Sequence, residues 1–190
     1  MCGIAGYFGR KPILEKAIDE TLSLMKNRGP NYQDYVSFII GDFHVSLLHS
    51  RLSVIDLDTR SNQPFTIGST TIVYNGEIYN YIELRKQLIE RGIELRTRSD
   101  TEVLLHFYRL YGEDCLRYFE GMWALAIFDS TEGSLFLSRD RFAEKPLYYI
   151  DGANGFYFGS EIKFLKSLTG CRLKVNRRHS LRHLVHGYKS

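Results

Sequence analysis

Apolar residues recur at intervals of three and four in three stretches of the chain, a spacing that places them on one face of an α-helix. The first stretch covers residues 14–25. The second covers residues 81–91 and is followed by Gly92, which suits a left-handed helix cap. The third begins at Ser99, and Glu102 three residues later completes a capping-box pattern, in which each side chain binds the other residue's backbone N–H. The sequence therefore predicts three amphipathic helices.

Alternating, β-branched and aromatic residues mark the segments between these helices as short strands. Residues 35–40 and 45–51 are separated by a Gly-Asp turn and so predict a hairpin. A strand at residues 72–74 is followed by Asn75 and Gly76, a pair that on its own is typical of a tight hairpin turn. Further strands are predicted at residues 123–128, 135–138, 147–150 and 156–158. Many antiparallel strands with a few sizeable helices predict an α+β layered domain.

Size and composition exclude several classes of protein. The chain has 190 residues, 44% of them apolar and 25% charged, which suits a folded domain with a real core and excludes a disordered chain. Its longest apolar run, residues 122–128, is far too short to cross a membrane. The three cysteines are too few and too scattered for a disulfide scaffold or a zinc site, so we expect no metal and a reducing, cytoplasmic location.

Charge is distributed unevenly along the chain. Residues 162–190 contain eight Lys or Arg and no Asp or Glu, so the rest of the chain carries a net charge of −5. We therefore expect a domain at residues 1–168 and a basic tail or linker at residues 169–190. In the tail, a short amphipathic helix is predicted from the spacing of Leu181, Leu184, Val185 and Tyr188. A nucleic-acid arm is a weaker interpretation, because the domain is acidic and the tail has few aromatic residues.

Cys2 is a candidate nucleophile because of its position. Removal of Met1 would leave a thiol and a free α-amine on one residue. An α-amine titrates near ~7.7 to 8, so part of it would be unprotonated at neutral pH and could take the thiol proton. The alternative is that a cysteine at this position has no chemical role.

Ten short motifs are spread over about residues 1–166: MCGIAGYFG, RGP, HSRLSVIDL, QPF, YNGEIYN, SDTEVLL, GMWALAIFD, SRDRF, KPLYY and FGSEIKFL. In this order they resemble those of class II glutamine amidotransferases, the N-terminal-nucleophile hydrolases that release ammonia from L-glutamine. The resemblance is strongest to the glutaminase domain of asparagine synthetase. It implies a four-layer αββα sandwich and a glutaminase activity that supplies ammonia to an ATP-dependent amidation.

The resemblance also implies a catalytic set. The Cys2 thiolate would attack the side-chain amide of glutamine and form a thioester. Asn75 and Gly76 match the pair that builds the oxyanion hole, where losing one donor typically costs ~10²- to 10³-fold in rate. Without the resemblance, these two residues are better explained as a turn.

Five further residues would bind the substrate. Arg51 could hold the glutamine carboxylate through two parallel hydrogen bonds, although a surface ion pair is its alternative role. Glu77 and Asp100 would hold the α-ammonium group, but a carboxylate at position 100 would also stabilise the start of a helix. Leu52 and Val54 would line the pocket.

Other polar residues are assigned structural roles. His49 is an obvious candidate for a separate general base, but we expect it to make a structural hydrogen bond in a strand. Asp140, Arg141 and Lys145 are interpreted as a structural ion network in a charged turn.

The resemblance implies partners as well. An SGGxDS pyrophosphate loop and a Walker loop are absent from the sequence, so no cofactor is expected in this domain, and ATP and Mg²⁺ would bind only a separate synthetase domain. That synthetase domain or subunit would receive the ammonia, and a homodimer is left open. The alternative function is a non-catalytic module that binds glutamine or assists assembly.

Overall fold

Two antiparallel sheets form the centre of the computed structural model, which describes residues 1–172 and 175–187. The first sheet has the strand order β2-β3-β1-β9-β8, with β1 at Gly3–Gly9, β2 at Tyr32–Ile40, β3 at Phe43–Arg51, β8 at Tyr148–Gly152 and β9 at Gly155–Gly159. The second has the order β4-β5-β6-β7, with β4 at Phe65–Ile67, β5 at Thr70–Ile78, β6 at Gly121–Asp129 and β7 at Ser134–Arg139. The predicted hairpin at residues 35–51 is confirmed as β2 and β3.

Helices cover the outer face of each sheet. The helices that do so are α1 at Glu15–Met25, α2 at Tyr81–Glu90, α3 at Asp100–Tyr111 and α4 at Ile162–Thr169. A further helix, α5 at Arg177–His186, lies in the tail, and 3₁₀ turns occur at Thr59–Ser61 and Gly112–Tyr118. Helices α1 and α4 pack on the first sheet, and α2 and α3 pack on the second. The order of layers is helix, sheet, sheet, helix, which confirms the predicted α+β αββα sandwich.

Alternation along the strands supplies the apolar layers. In β5, Val73 faces the layer between the sheets, whereas Ile72 and Tyr74 face α3. Phe128 is fully buried in the layer between the sheets and packs against two other rings, those of Phe8 and Phe38. Burying one such side chain stabilises the fold by roughly 1.5–3 kcal/mol, so this layer holds the two sheets together.

The start of α3 differs from the predicted capping box. Ser99 is the N-cap, and its hydroxyl accepts a hydrogen bond from Thr101 N at 3.0 Å, as expected. The prediction that Ser99 N donates to the Glu102 side chain is wrong, because Ser99 N donates instead to the hydroxyl of Thr97. The buried carboxylate of Glu102 accepts from Arg96 N and Thr97 N at 2.8 and 2.7 Å. Glu102 therefore fixes the loop before α3 rather than the helix end itself.

The turn interpretation of Asn75 and Gly76 is also wrong. Strand β5 continues through both residues to Ile78, and they pair with Ala124 and Trp123 of β6. A long partner strand beside β5 keeps the backbone extended where the local sequence favours a turn. A Cβ at position 76 would collide with the carbonyl oxygen of Met122, so the site requires glycine.

The tail contains the predicted helix, α5. Leu181, Leu184 and Val185 are all exposed on it, so its apolar stripe packs against nothing in the part of the chain that the structure describes, and Tyr188 lies outside the described residues. Over residues 1–172 and 175–187, the helices are too short or too polar to cross a membrane.

Candidate active site

All eight residues predicted for the site line one cavity of about 210 Å³: Cys2, Arg51, Leu52, Val54, Asn75, Gly76, Glu77 and Asp100. The cavity lies where the layer between the sheets reaches one edge of the sandwich. Side chains two residues apart on a strand point to the same face of the sheet. Ile4 and Val73 lie in the layer between the sheets, so Cys2 and Asn75 also point toward that layer and meet at its edge. Strand pairing sets Gly3 opposite Ser50, which brings Cys2 next to the end of β3.

The Cys2 thiol is held by backbone groups. Leu52 N donates to Sγ at 3.4 Å, and Sγ lies 3.7 Å from the carbonyl oxygen of Leu52. Burial raises the pKa of the Cys2 thiol, while the Leu52 hydrogen bond, the positive chain terminus and Arg51 oppose that rise. The raised pKa leaves the sulfur mainly as a thiol, so a nucleophilic role requires a base.

Arg28 holds the backbone of Cys2 and was not among the predicted site residues. Its Nε donates to the Cys2 carbonyl oxygen at 2.9 Å, and its Nη1 forms an ion pair with Glu161 at 3.1 Å. The RGP motif that contains Arg28 was a sequence signal for a role at the site. Arg28 therefore fixes the backbone of Cys2, and Glu161 holds the guanidinium in place.

Asn75 carries a side-chain amide without a partner. Its residue is 2% exposed, and among the described residues Nδ2 makes no hydrogen bond. Leaving such a donor unsatisfied costs about 1–3 kcal/mol. Because Asn75 and Cys2 line the same cavity, a ligand oxygen bound beside the sulfur would satisfy the amide.

An acidic region lies at the start of α3. Asp100 is 5% exposed, and its Oδ2 accepts hydrogen bonds from Tyr74 OH at 2.8 Å and Ile78 N at 3.1 Å. Burial and the charge of Glu77 raise the pKa of Asp100, and the two hydrogen bonds lower it. A cationic group of a ligand would be stabilised between Asp100 and Glu77. Tyr74 was not among the predicted site residues, although it is the first residue of the YNGEIYN motif.

Arg51 is buried, with 6% of its surface exposed, so the surface ion pair considered for it is wrong. Its Nη1 donates to Asp58 O at 3.0 Å and to Asn62 Oδ1 at 2.6 Å, and its Nη2 donates to the carbonyl oxygens of Ile55 and Asp56. The guanidinium therefore organises residues 55–62. Within the described part of the chain, only Nε has no partner.

Leu52 and Val54 begin the loop that Arg51 organises. Leu52 is 36% exposed and Val54 is 70% exposed, and both line the cavity. They therefore form a partly open apolar wall at its mouth.

His49 is buried in the core next to the cavity and does not line it. Its Nε2 donates to Tyr74 O at 3.2 Å, which is the structural hydrogen bond expected from the sequence. Burial lowers the pKa of His49 to about 3, so the imidazole is neutral at pH 7. Its position argues against a role as a separate general base.

The predicted ion network in the turn after β7 is wrong. Asp140 accepts hydrogen bonds from the backbone N–H groups of Phe142, Glu144 and Lys145, and its pKa is lowered by these bonds despite burial. Over residues 1–172 and 175–187, Asp140, Arg141 and Lys145 take part in no ion pair. Lys145 instead lines the cavity.

Metal-ligating side chains do not cluster in the part of the chain described. No group of three or more His, Cys, Asp or Glu residues there is arranged to hold a metal ion. The cavity instead combines a thiol, an unsatisfied amide and two carboxylates, which suits a small polar ligand that has a carbonyl oxygen and a cationic group.

The fold is similar to that of a solved structure. The structure is similar to that of a glutamine phosphoribosylpyrophosphate amidotransferase from B. subtilis, with a TM-score of 0.70 and 20% identity over 88% of this chain and 44% of that one. The arrangement of two sheets between helices is therefore shared with that protein.

The sequence family is more specific. The chain belongs to the family described as glutamine amidotransferase domain, whose profile matches residues 1–190. It is 36% identical to a putative glutamine-hydrolysing asparagine synthetase 2 of Methanocaldococcus jannaschii, and 39% identical to the glutamine-hydrolysing asparagine synthetase 3 of Bacillus subtilis. Each match covers 93% of this chain but only 37% and 29% of the relatives, so the chain spans about a third of their length.

Proposed function

We propose that this domain hydrolyses L-glutamine to glutamate and ammonia through a thioester on Cys2. The observation that carries the proposal is the buried Asn75 amide, which lacks a partner among the described residues and lines the same cavity as the Cys2 thiol. An amide donor held beside a nucleophile is the arrangement that stabilises the oxyanion of acyl transfer. Membership of the glutamine amidotransferase family supplies the substrate.

The first half of the reaction forms the thioester. Once Met1 is removed, the α-amine of Cys2 accepts the thiol proton, and the sulfur attacks the side-chain carbonyl carbon of glutamine. The carbonyl electrons move to oxygen, where Asn75 Nδ2 and the Gly76 backbone stabilise the negative charge. Collapse of this intermediate breaks the carbon–nitrogen bond, and the protonated α-amine gives its proton to the leaving ammonia.

The second half releases glutamate. Water attacks the thioester carbonyl while the α-amine accepts one of its protons, and the same oxyanion hole stabilises the second tetrahedral intermediate. The carbon–sulfur bond then breaks, and the proton returns to the sulfur. One glutamine and one water thus give one glutamate and one ammonia.

Substrate binding uses the charged lining of the cavity. Asp100 and Glu77 hold the α-ammonium group, and Tyr74 fixes the Asp100 carboxylate. Arg51 holds the α-carboxylate. Because Nη1 and Nη2 donate to loop carbonyl oxygens in the present structure, the carboxylate either accepts from Nε or replaces a loop carbonyl oxygen as the acceptor. Leu52 and Val54, which line the cavity, contact the apolar part of the substrate.

The ammonia is passed to a second active site. The two relatives described above are named as asparagine synthetases, and this chain covers only part of them. We therefore propose that a synthetase domain or subunit uses the ammonia in an ATP-dependent amidation of aspartate or another carboxylate. ATP and Mg²⁺ bind that second site, and this domain needs no cofactor.

The test begins with the full chain prepared with Cys2 as its first residue and checked by intact mass. We expect it to release glutamate and ammonia from glutamine in equal amounts, and hydroxylamine to trap γ-glutamyl hydroxamate from the thioester. Cys2→Ala abolishes both products because no acyl intermediate can form.

Cys171→Ala is the matched control, since Cys171 is an exposed thiol outside the cavity. It should retain the wild-type rate. Turnover that persists in Cys2→Ala contradicts the mechanism. Glutamine binding without turnover in the correctly processed wild type favours the non-catalytic module instead.

A further inference from the structure

Lys145 is a buried cation whose role the proposed reaction does not explain. It is 6% exposed and lines the cavity together with Cys2. The described residues offer its ammonium group no carboxylate at ion-pair distance, and its Nζ contacts the thioether sulfur of Met1 at 3.5 Å. A charge removed from water without an ionic partner is unfavourable, so its placement calls for a compensating role.

The turn between β7 and β8 fixes the position of Lys145. The Asp140 carboxylate accepts a hydrogen bond from Lys145 N at 3.0 Å, and Arg139 Nε donates to Lys145 O at 2.7 Å. Arg139 also donates to the carbonyl oxygen of Ala143, a residue held at φ +58°. Both backbone polar groups of Lys145 are therefore held by charged side chains.

Processing of the chain changes what Lys145 contacts. Met1 is bonded to Cys2 and places its side chain against the ammonium group of Lys145. Removal of Met1 eliminates this contact and creates a new amine at Cys2. The lysine then borders the space that the Met1 side chain occupied, in the cavity that Cys2 also lines.

We propose that Lys145 is a positioning residue that keeps the α-amine of Cys2 in its neutral, proton-accepting form. The inference rests on the proposed function, in which this amine is the base. A nearby positive charge disfavours the protonated form of an amine. A base works best when it is largely unprotonated at the working pH, so the lysine would increase the fraction of active enzyme.

Other charges around the cavity make this contribution necessary. Glu77 and Asp100 line the same space, and two carboxylates favour a protonated amine. Arg51 bonds to loop carbonyls, and Arg28 pairs with Glu161 while it holds the Cys2 carbonyl. Among the cations that line the cavity, Lys145 therefore differs from Arg51, because its ammonium group binds no carboxylate and no loop carbonyl of the described residues.

A direct titration tests the inference without relying on catalysis. The full chain, beginning at Cys2 and labelled with ¹⁵N at cysteine, is titrated while the nitrogen chemical shift of the terminal amine is recorded. We expect a midpoint below the ordinary value of about 7.7, and a rise of about one pH unit in Lys145→Met. Lys145→Arg keeps the charge and should retain the wild-type midpoint.

The rate gives a second readout. The acidic limb of kcat/KM for glutamine should move up by about one pH unit in Lys145→Met, which is about a tenfold loss near pH 6.5 and little loss near pH 9. Lys145→Arg should follow the wild-type profile. An equal loss at every pH indicates a structural role and overturns the inference.

The two proposals fail in different ways. A processed wild type that releases no ammonia overturns the proposed function, whereas the amine titration still decides the role of Lys145. If Lys145→Met does not fold, the wild-type titration decides alone, and a midpoint at or above about 8 overturns the inference.

Discussion

Asn75 has a side chain that is unfavourable for folding and that the proposed reaction requires. Its amide is buried and lines the same cavity as Cys2, and Nδ2 has no partner in the described part of the chain. In the ligand-free protein this donor is destabilising, because it has lost its hydrogen bonds to water and forms none with the described residues. A ligand that accepts a hydrogen bond from Nδ2 would explain why this amide is buried.

Replacement of Asn75 separates the two effects. We expect Asn75→Ala to lower kcat for glutamine by about 10²- to 10³-fold, because the oxyanion loses a donor. The free energy of unfolding should not fall by more than about 1 kcal/mol, because no protein hydrogen bond is lost and an unsatisfied donor is removed. Steady-state kinetics and urea unfolding measure the two quantities.

Asn80 provides the matched control. Its side chain donates to Tyr118 O and accepts from Glu120 N, and it does not line the cavity. Asn80→Ala should therefore lower the free energy of unfolding by about 1 kcal/mol and leave kcat unchanged. A catalytic loss in both variants would argue that the effect of Asn75 is structural.

At the scale of elements, β3 and β5 are joined across the two sheets by one hydrogen bond. His49 of β3 donates to Tyr74 O of β5, and burial lowers the pKa of His49 to about 3. In the unfolded chain the same imidazole titrates near 6.5. The unfolded state therefore takes up a proton between these two values that the folded state does not, so stability falls as the pH falls from about 6.5 toward 3.

The resulting pH dependence can be measured. From pH 6.5 to pH 5 the wild type should lose about 1.6 kcal/mol of unfolding free energy through His49. His49→Gln keeps a donor for Tyr74 O but does not titrate, so its loss over the same interval should be smaller by about that amount. Urea unfolding at the two pH values tests this, and identical losses in both proteins would contradict the burial argument.

Local sequence predicted most elements but not their extent or all their contacts. The helix periodicity at residues 14–25, 81–91 and 99–110 was sufficient because each helix buries one face. Strand β5 was predicted too short, since the pairing of Asn75 with Ala124 prevents the turn that an Asn-Gly pair favours. The charged turn at residues 140–145 was misassigned because Asp140 binds backbone N–H groups, which sequence does not show.

At the scale of the whole molecule, the cavity lies at the meeting of the two sheets. The first sheet contributes Arg51 and supports Cys2, the second contributes Asn75, and α3 contributes Asp100. No single layer contains the site. Its geometry therefore depends on the packing of both sheets through the apolar layer between them.

The tail makes no comparable contribution to this packing. Helix α4 ends at Thr169 and is capped by Gly170, whose N–H donates to Lys166 O at 3.1 Å. The apolar side chains of α5 are exposed. The domain limit predicted near residue 168 stays a prediction that truncation can test.

Deletion of residues 171–190 should leave the domain intact. We expect the free energy of unfolding to change by less than about 0.5 kcal/mol and glutamine hydrolysis to be retained, because the deleted helix buries little surface. Urea unfolding and ammonia release measure both. A large loss of stability would show that α5 packs on the domain in solution.

The sequence by itself determined the layered α+β fold, the family and the identity of the eight candidate site residues, because periodicity and ordered motifs are local properties. Only the tertiary structure decided how those residues function together. It placed Arg28 on the Cys2 carbonyl, Tyr74 on Asp100 and the Arg51 guanidinium on its loop. It also brought Lys145 next to the chain start. Distances between residues remote in sequence depend on how the two sheets pack, and no local pattern encodes them.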